Sequence, residues 1–337
     1  MRTRSRGLKT WSAFGDLGRR PSDYEILTHG MNHTVGDPPL ELGPEVNGNR
    51  WLRRHRDAIG LTVADWDEFR DPDALTYGRY VSGQDDQETY VEGLLERYDR
   101  DGRDAHLPPA TLEFLALALT PGRYLAHGQQ MLSAYVQQLA LSSYVATCAT
   151  FQTADQLRRV QLLAYRTVQL QRTFPEAGFG TGERATWQRH PDWQPIREAV
   201  ERALVEYDWD RALVATQLVV KPVADLLFLA QLSPRLAAAG STVDALVTEN
   251  LWRDCRRSRR WTTALAEFIV DADPGNRAVL QGYLDEWVPR GLAMVAAGSR
   301  LLATSGQVDP GRIAEETVRE WRALLAPAGL ALPGVPG

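Results

Sequence analysis

The chain has 337 residues, 44% of them apolar, and a formal net charge of −5; it can bury one large core or two modest ones, and its charge argues against a general nucleic-acid binder. Two cysteines, Cys148 and Cys255, cannot staple a chain of this length, so a reducing cytoplasm is the expected location. The opening MRTRSRGLKTWSAF is charged with no apolar run behind it, and no window approaches ~18 consecutive apolar residues; neither a signal peptide nor a membrane-spanning helix is expected.

Residues 1–60 are broken by Gly30, Gly36, Pro38, Pro39, Gly43, Pro44 and Gly48, yet carry large apolar side chains. A disordered tail would be poorer in aromatics. One reading is an extended arm that lays Trp11, Tyr24, Ile26 and Trp51 on a partner. The other is a cap folded over the chain's own core, and both stay open. Residues 61–325 read as one helical domain, and the Pro/Gly-rich 326–337 as a tail.

From Asp65 the pattern is helical. Asp71-Pro72-Asp73 predicts a helix start, with acids favourable at the N-terminus, and the helix runs to about Tyr98. Pro108-Pro109 opens a short helix ending near Thr120-Pro121-Gly122. Residues 129–173 contain neither Gly nor Pro, and their apolar side chains advance by three or four. As one helix this stretch would measure about 68 Å, so two helices meeting near Ser142–Thr150 are expected. Residues 174–193 predict a loop. Helices follow over 195–207, 210–237, 242–270, 275–305 and 309–325, with kinks at Pro222 and Pro289. The fold class is all-α, a bundle of long helices, with no repeat of solenoid period.

Within Cys148–Gln161 (CATFQTADQLRRVQ) lies Gln156-x-x-Arg159. In a di-iron bundle, Glu-x-x-His places a carboxylate and an imidazole one turn apart, facing the metals. Here an amide and a permanent cation hold that spacing, and arginine repels a metal ion. None of the six histidines has a glutamate three residues before it. Alone, this spacing is that of an ordinary core helix.

The wider pattern is more specific. Thr10-Trp11-Ser12, Pro21–Ile26, Trp66–Asp73, Gln87–Val91, Thr120–Tyr124, Cys148–Gln161, Arg184, Trp187, Asp192-Trp193, Tyr207-Asp208-Trp209 and Arg257–Trp261 follow one another in an order and spacing that covers residues 8–325. In these the chain resembles the β subunit of the hydroxylase component of bacterial multicomponent monooxygenases, the soluble di-iron enzymes that oxidise toluene, phenol, propane or alkenes. The resemblance implies a ferritin-like fold without metal. Two Glu-x-x-His motifs and two further glutamates hold the di-iron centre in the α subunit. The first motif corresponds to Gln156 and Arg159, the second to Arg257 and Arg260. The third carboxylate falls near Val220–Lys221, and the fourth on the helix around Gln129–Gln137, where no acid stands.

The resemblance therefore implies no catalytic residue, metal or cofactor in this chain. It implies pairing with a catalytic α subunit in an α₂β₂ or, with a γ subunit, α₂β₂γ₂ assembly. An effector protein and an NAD(P)H-dependent reductase, sometimes with a ferredoxin, would act transiently. No nucleic acid and no membrane are expected as partners.

Other features weigh less. Arg253, Arg256, Arg257, Arg259 and Arg260 put five cations in eight residues, which could hold phosphates. Glu249, Asp254 and Glu267 lie nearby, and some of the arginines are expected to pair with inward carboxylates such as Asp155 or Asp225. A helical nucleic-acid-binding regulator and a free-standing ferritin-like di-iron protein remain the alternatives. His29 and His33 are four apart, but Gly30 separates them and a zinc site needs two more ligands. Gly178–Gly182 neither follows a strand nor opens a phosphate-binding helix and reads as a surface loop.

Overall fold

The computed structural model describes residues 14, 17–31, 45–306 and 308–334; among them there are helices and turns and no strand. The helices are α1 (Asp23–Thr28), α2 (Asn47–Asp57), α3 (Tyr77–Arg100), α4 (Pro109–Phe114), α5 (Gly122–Gln138), α6 (Ser143–Thr173), α7 (Glu183–Arg189), α8 (Gln194–Ala203), α9 (Trp209–Leu213), α10 (Lys221–Asp225), α11 (Leu232–Ala238), α12 (Thr242–Ala272), α13 (Asn276–Ala303) and α14 (Pro310–Leu325).

The predicted long helices are present, with boundaries moved by local chemistry. Asp71 starts no helix: its carboxylate accepts from the N–H groups of Asp73 and Leu75, closing a turn, and Thr76 caps α3 instead. The 129–173 stretch divides earlier than expected. Gln138 ends α5, and the Ser142 hydroxyl accepts from Val145 N–H to open α6. The expected loop after Phe174 holds the short helix α7, whose start is fixed by Glu183 accepting from Gly180 N–H at 2.8 Å.

α9, α10 and α11 are parts of one rod, Trp209–Ala238, joined by π-helical turns at Val214–Val220 and Leu226–Gln231. This rod is long and apolar enough to cross a bilayer, but its apolar window is wholly buried inside the protein. It is the central core helix, and α5, α8, α12, α13 and α14 pack around it. An all-round apolar helix belongs in such a position.

Two prolines interrupt this core, and buried tryptophans answer them. Pro121 has no N–H for the Leu117 carbonyl, which accepts instead from the Trp193 indole at 2.9 Å. Pro222 leaves the Leu218 carbonyl in the same position, and Trp321 donates to it at 2.6 Å.

Both chain ends depart from the expected outline. Tyr24 lies on α1, but its side chain is 7% exposed in the chain's own core, with its ring against Tyr144 and its hydroxyl accepting from Asp71 N–H. Burial corrects its expected role as an arm residue offered to a partner. Trp11 and His33 lie outside the described residues. At the other end, Ala328, Leu330 and Leu332 are buried, and Gln281 bonds both backbone polar groups of Ala331. That part of the Pro/Gly segment is packed on α13.

A buried ion-pair cluster in the candidate metal frame

α5, α6, α10 and α12 each bring polar side chains to the interior. Arg159 of α6 is the centre. Its guanidinium donates to Gln129 Oε1 of α5 at 3.2 Å, to Asp225 Oδ1 of α10 at 3.4 Å and to the Phe228 carbonyl at 3.5 Å. Asp225 also accepts from Lys221, one turn earlier on α10, and from Gln129 Nε2 at 3.5 Å. The side chains of Arg159, Asp225 and Lys221 are 3%, 1% and 4% exposed, so water screens none of them. Cys255 of α12 completes the group, with its Sγ 3.9 Å from Lys221 Nζ.

The electrostatics follow from one carboxylate shared by two cations. Burial acts to lower the pKa of Lys221, but the charge and hydrogen bond of Asp225 outweigh it and hold the amine above its ordinary value. For Arg159 burial prevails over Asp225, and the guanidinium lies below its ordinary range. Burial and the Asp225 charge push the Cys255 thiol up, so it remains protonated. Gln129 strengthens the cluster without charge, accepting from Arg159 and donating to Asp225 through one amide.

Such a donor set does not fit a di-iron centre. Two cations occupy the space, and the one carboxylate is committed to both. Iron in a bundle needs several anionic oxygen ligands with imidazole support. The arrangement can neutralise and position helices; it offers no metal chemistry.

Of the degenerate positions, Gln156 and Arg159 are both buried, and among the described residues the Gln156 amide oxygen accepts no hydrogen bond. Arg257 and Arg260 do not join them. Arg260 is about half exposed and forms a two-pronged pair with Asp73. Arg257 belongs to a second network between α3, α6 and α12, where it pairs with Asp155. From α12 it is Cys255 that meets the Arg159 cluster, because a helix presents residues two positions apart on different sides.

In that second network, Tyr80 donates to Asp155 at 3.0 Å, and Gln84 Nε2 donates to Asp254 at 2.9 Å. Arg158 donates to Asn250 at 2.7 Å and to Asp254 at 3.1 Å, and also pairs with Glu88. Burial, together with the charge of Asp254, pushes the Asp155 carboxyl up to about 6 in spite of Arg257. A third cluster joins Arg166 to Asp104 and Asp244. Sequence reasoning passed over Arg158 and Arg166. Their signal was available in the spacing of Asp155, Arg158, Leu162 and Arg166 along one face of α6, but a charged residue on a helix is ordinarily solvated.

The model of the methane/phenol/alkene hydroxylase family matches residues 49–273. The chain belongs to that family. Within it, the chain is 35% identical over 312 residues to the beta subunit of the toluene-4-monooxygenase hydroxylase component of Ectopseudomonas mendocina, covering 92% of this chain and 94% of that protein. It is 28% identical to the small subunit of the propane 2-monooxygenase hydroxylase component of Gordonia sp. (strain TY-5), over 80% of this chain and 71% of the relative. A solved structure of toluene 4-monooxygenase, with toluene in its resting active site, superposes with a TM-score of 0.81 at 34% identity, covering 90% of this chain and 99% of that one. Phenol hydroxylase from Pseudomonas sp. OX1 shares the fold, with a TM-score of 0.83 at 22% identity.

The chain is thus a beta-subunit type member of the hydroxylase family, with the ferritin-like helical fold. These relatives favour neither a free-standing di-iron protein nor a nucleic-acid regulator. The geometry adds to the case against the latter: Arg257 and Arg260 bind internal carboxylates, and Arg259 donates to the Glu320 carbonyl.

Proposed function

We propose that this chain is the non-catalytic β subunit of a soluble di-iron monooxygenase hydroxylase, and that it pairs with an α subunit carrying the iron and dimerises the assembly. The observation that carries the reading is the Arg159–Asp225–Lys221 cluster, with cations in the metal frame of a chain otherwise close to known β subunits. The holoenzyme would insert one oxygen atom of O₂ into a hydrocarbon, using NAD(P)H-derived electrons delivered by a reductase, with or without a ferredoxin, under an effector protein. The assembly would be α₂β₂ or α₂β₂γ₂, in the cytoplasm.

A partner surface is consistent with what the chain leaves uncovered. Leu157, Tyr165 and Val168 are 47%, 51% and 42% exposed on the outer side of α6. Trp51 of α2 is 37% exposed and touches Tyr207 and His55 edgewise or tilted. Exposed aliphatic and aromatic side chains of this size mark interaction sites. Trp51, half-buried Ile26 and Trp11 are the arm residues we assign to the partner.

Native mass spectrometry of the tagged chain from its own cells tests the reading. A complex of this chain with a larger one, with iron kept by the larger chain on dissociation, is the expected result. A free monomer or homodimer holding two irons would overturn it.

A further inference from the structure

The arginine run on α12 borders a surface cleft of about 310 Å³ between α12 and α3, which no role assigned so far uses. Arg79, Gln84 and Gln87 line it from α3, and Arg253, Arg257 and Arg260 from α12. Its carboxylates are already committed. Asp73 holds Arg260, and Asp254 accepts from Arg158, Gln84 and Gln87. Asp155, beneath them, holds Arg257.

Two groups of opposite kind are left over. Arg79 and Arg253 are exposed, and among the described residues neither guanidinium has a hydrogen-bond or ion-pair partner. Among the described residues the amide oxygens of Gln84 and Gln87 accept no hydrogen bond, because both amides turn their nitrogens to Asp254. Buried acceptors without donors are costly and uncommon, and both glutamines line the cleft.

A fully ionised inorganic anion such as sulfate would answer the arginines only, having no hydrogen to donate. A peptide carrying carboxylates answers both sets: its side chains accept from Arg79 and Arg253, and its backbone N–H groups donate to the glutamine oxygens. The cleft also has room for only a few residues. We propose that this cleft between α3 and α12 seats an acidic peptide segment of a partner protein. The pairs along its walls, Arg257 with Asp155 and Arg260 with Asp73, hold the walls in place, so the rim cations meet the ligand without rearrangement.

The test is made on the full chain alone, so its result does not depend on the subunit reading. A fluorescein-labelled oligoglutamate peptide is titrated in by fluorescence anisotropy. Binding is expected to weaken about tenfold or more when salt rises from about 0.02 to about 0.2 M, as for exposed charges. Arg79→Glu with Arg253→Glu should abolish it, and Arg256→Glu, an equally exposed cation on α12 outside the cleft lining, should leave it unchanged. Binding that survives the double reversal, or falls equally with R256E, overturns the assignment to this cleft. Displacement of the peptide by an equal concentration of inorganic phosphate overturns the assignment to a peptide. Thermal melts accompany each variant; should the double reversal unfold, the milder Arg79→Gln with Arg253→Gln gives the same reading.

Discussion

The indole N–H of Trp321 donates at 2.6 Å to the carbonyl of Leu218, the acceptor that Pro222, four residues further along the central rod, has no N–H to reach. Trp321 is fully buried on α14, so a residue distant in sequence completes the hydrogen bonding of a core helix. Trp321→Phe keeps most of the ring and removes the donor, and a buried carbonyl left unpaired costs about 1–3 kcal/mol. Urea denaturation should show that loss. In a Pro222→Ala background, where the helix regains its own N–H, the same substitution should cost less. Equal costs in both backgrounds would mean that the indole serves packing alone.

The same tryptophan depends on a glycine. A Cβ at Gly291 of α13 would stand 2.4 Å from Trp321 and 2.8 Å from Val219, both in well-filled core. Gly291→Ala is expected to destabilise by about 1–3 kcal/mol through overpacking, although alanine is the better helix former. A neutral or stabilising result in the same assay would show that α13 shifts freely against the rod.

The helix bundle was legible because its signal is repeated: apolar residues at steps of three and four over 129–173 and 242–270 outweigh any single misread position. The boundaries were less so, since Asp71 can start a helix or close a turn, and its N–H meets the hydroxyl of Tyr24, a partner distant in sequence. The candidate site was half legible. Gln156 and Arg159 show a ligand spacing without ligands. Arg257 pairs with Asp155, as the sequence suggested, but that neither it nor Arg260 meets the Arg159 cluster was not legible, because a spacing of three does not say which side of α12 faces inward. The tryptophan–carbonyl bonds were not legible at all, as nothing local links Trp321 to Pro222.

The charge balance of the central cluster predicts an asymmetry. Replacing Arg159 by methionine leaves Asp225 paired with Lys221, a neutral pair in a dry site, and should cost little. Replacing Asp225 by asparagine leaves two buried cations with no counter-charge, and breaking a buried pair in this way costs about 3–5 kcal/mol. The expected order of stability is wild type, close to R159M, well above D225N. Chemical denaturation of the three proteins decides it, and D225N as stable as R159M would mean that the cluster is hydrated.

Asp155 gives the protein a pH dependence of unusual sign. Its carboxyl is raised from 3.8 to about 6, chiefly by burial and then by the charge of Asp254. Between about pH 4 and about pH 6 the folded state therefore binds this proton more tightly than the unfolded chain does. Where the native state holds the extra proton, stability falls as pH rises, by up to about 1.4 kcal/mol per unit for one group. A depressed carboxylate such as Glu25, held down first by its hydrogen bonds from Arg19, acts in the opposite sense and loses its contribution as pH falls. The Asp155 share is isolated by subtraction. The stability of wild type minus that of Asp155→Asn, measured by urea denaturation at several pH values, should decrease from about pH 4 to about pH 6 and then level off. A difference that is flat from about pH 4 to about pH 6 and falls only below about pH 4 would place the Asp155 pKa below that of an unfolded aspartate, with Arg257 prevailing over burial.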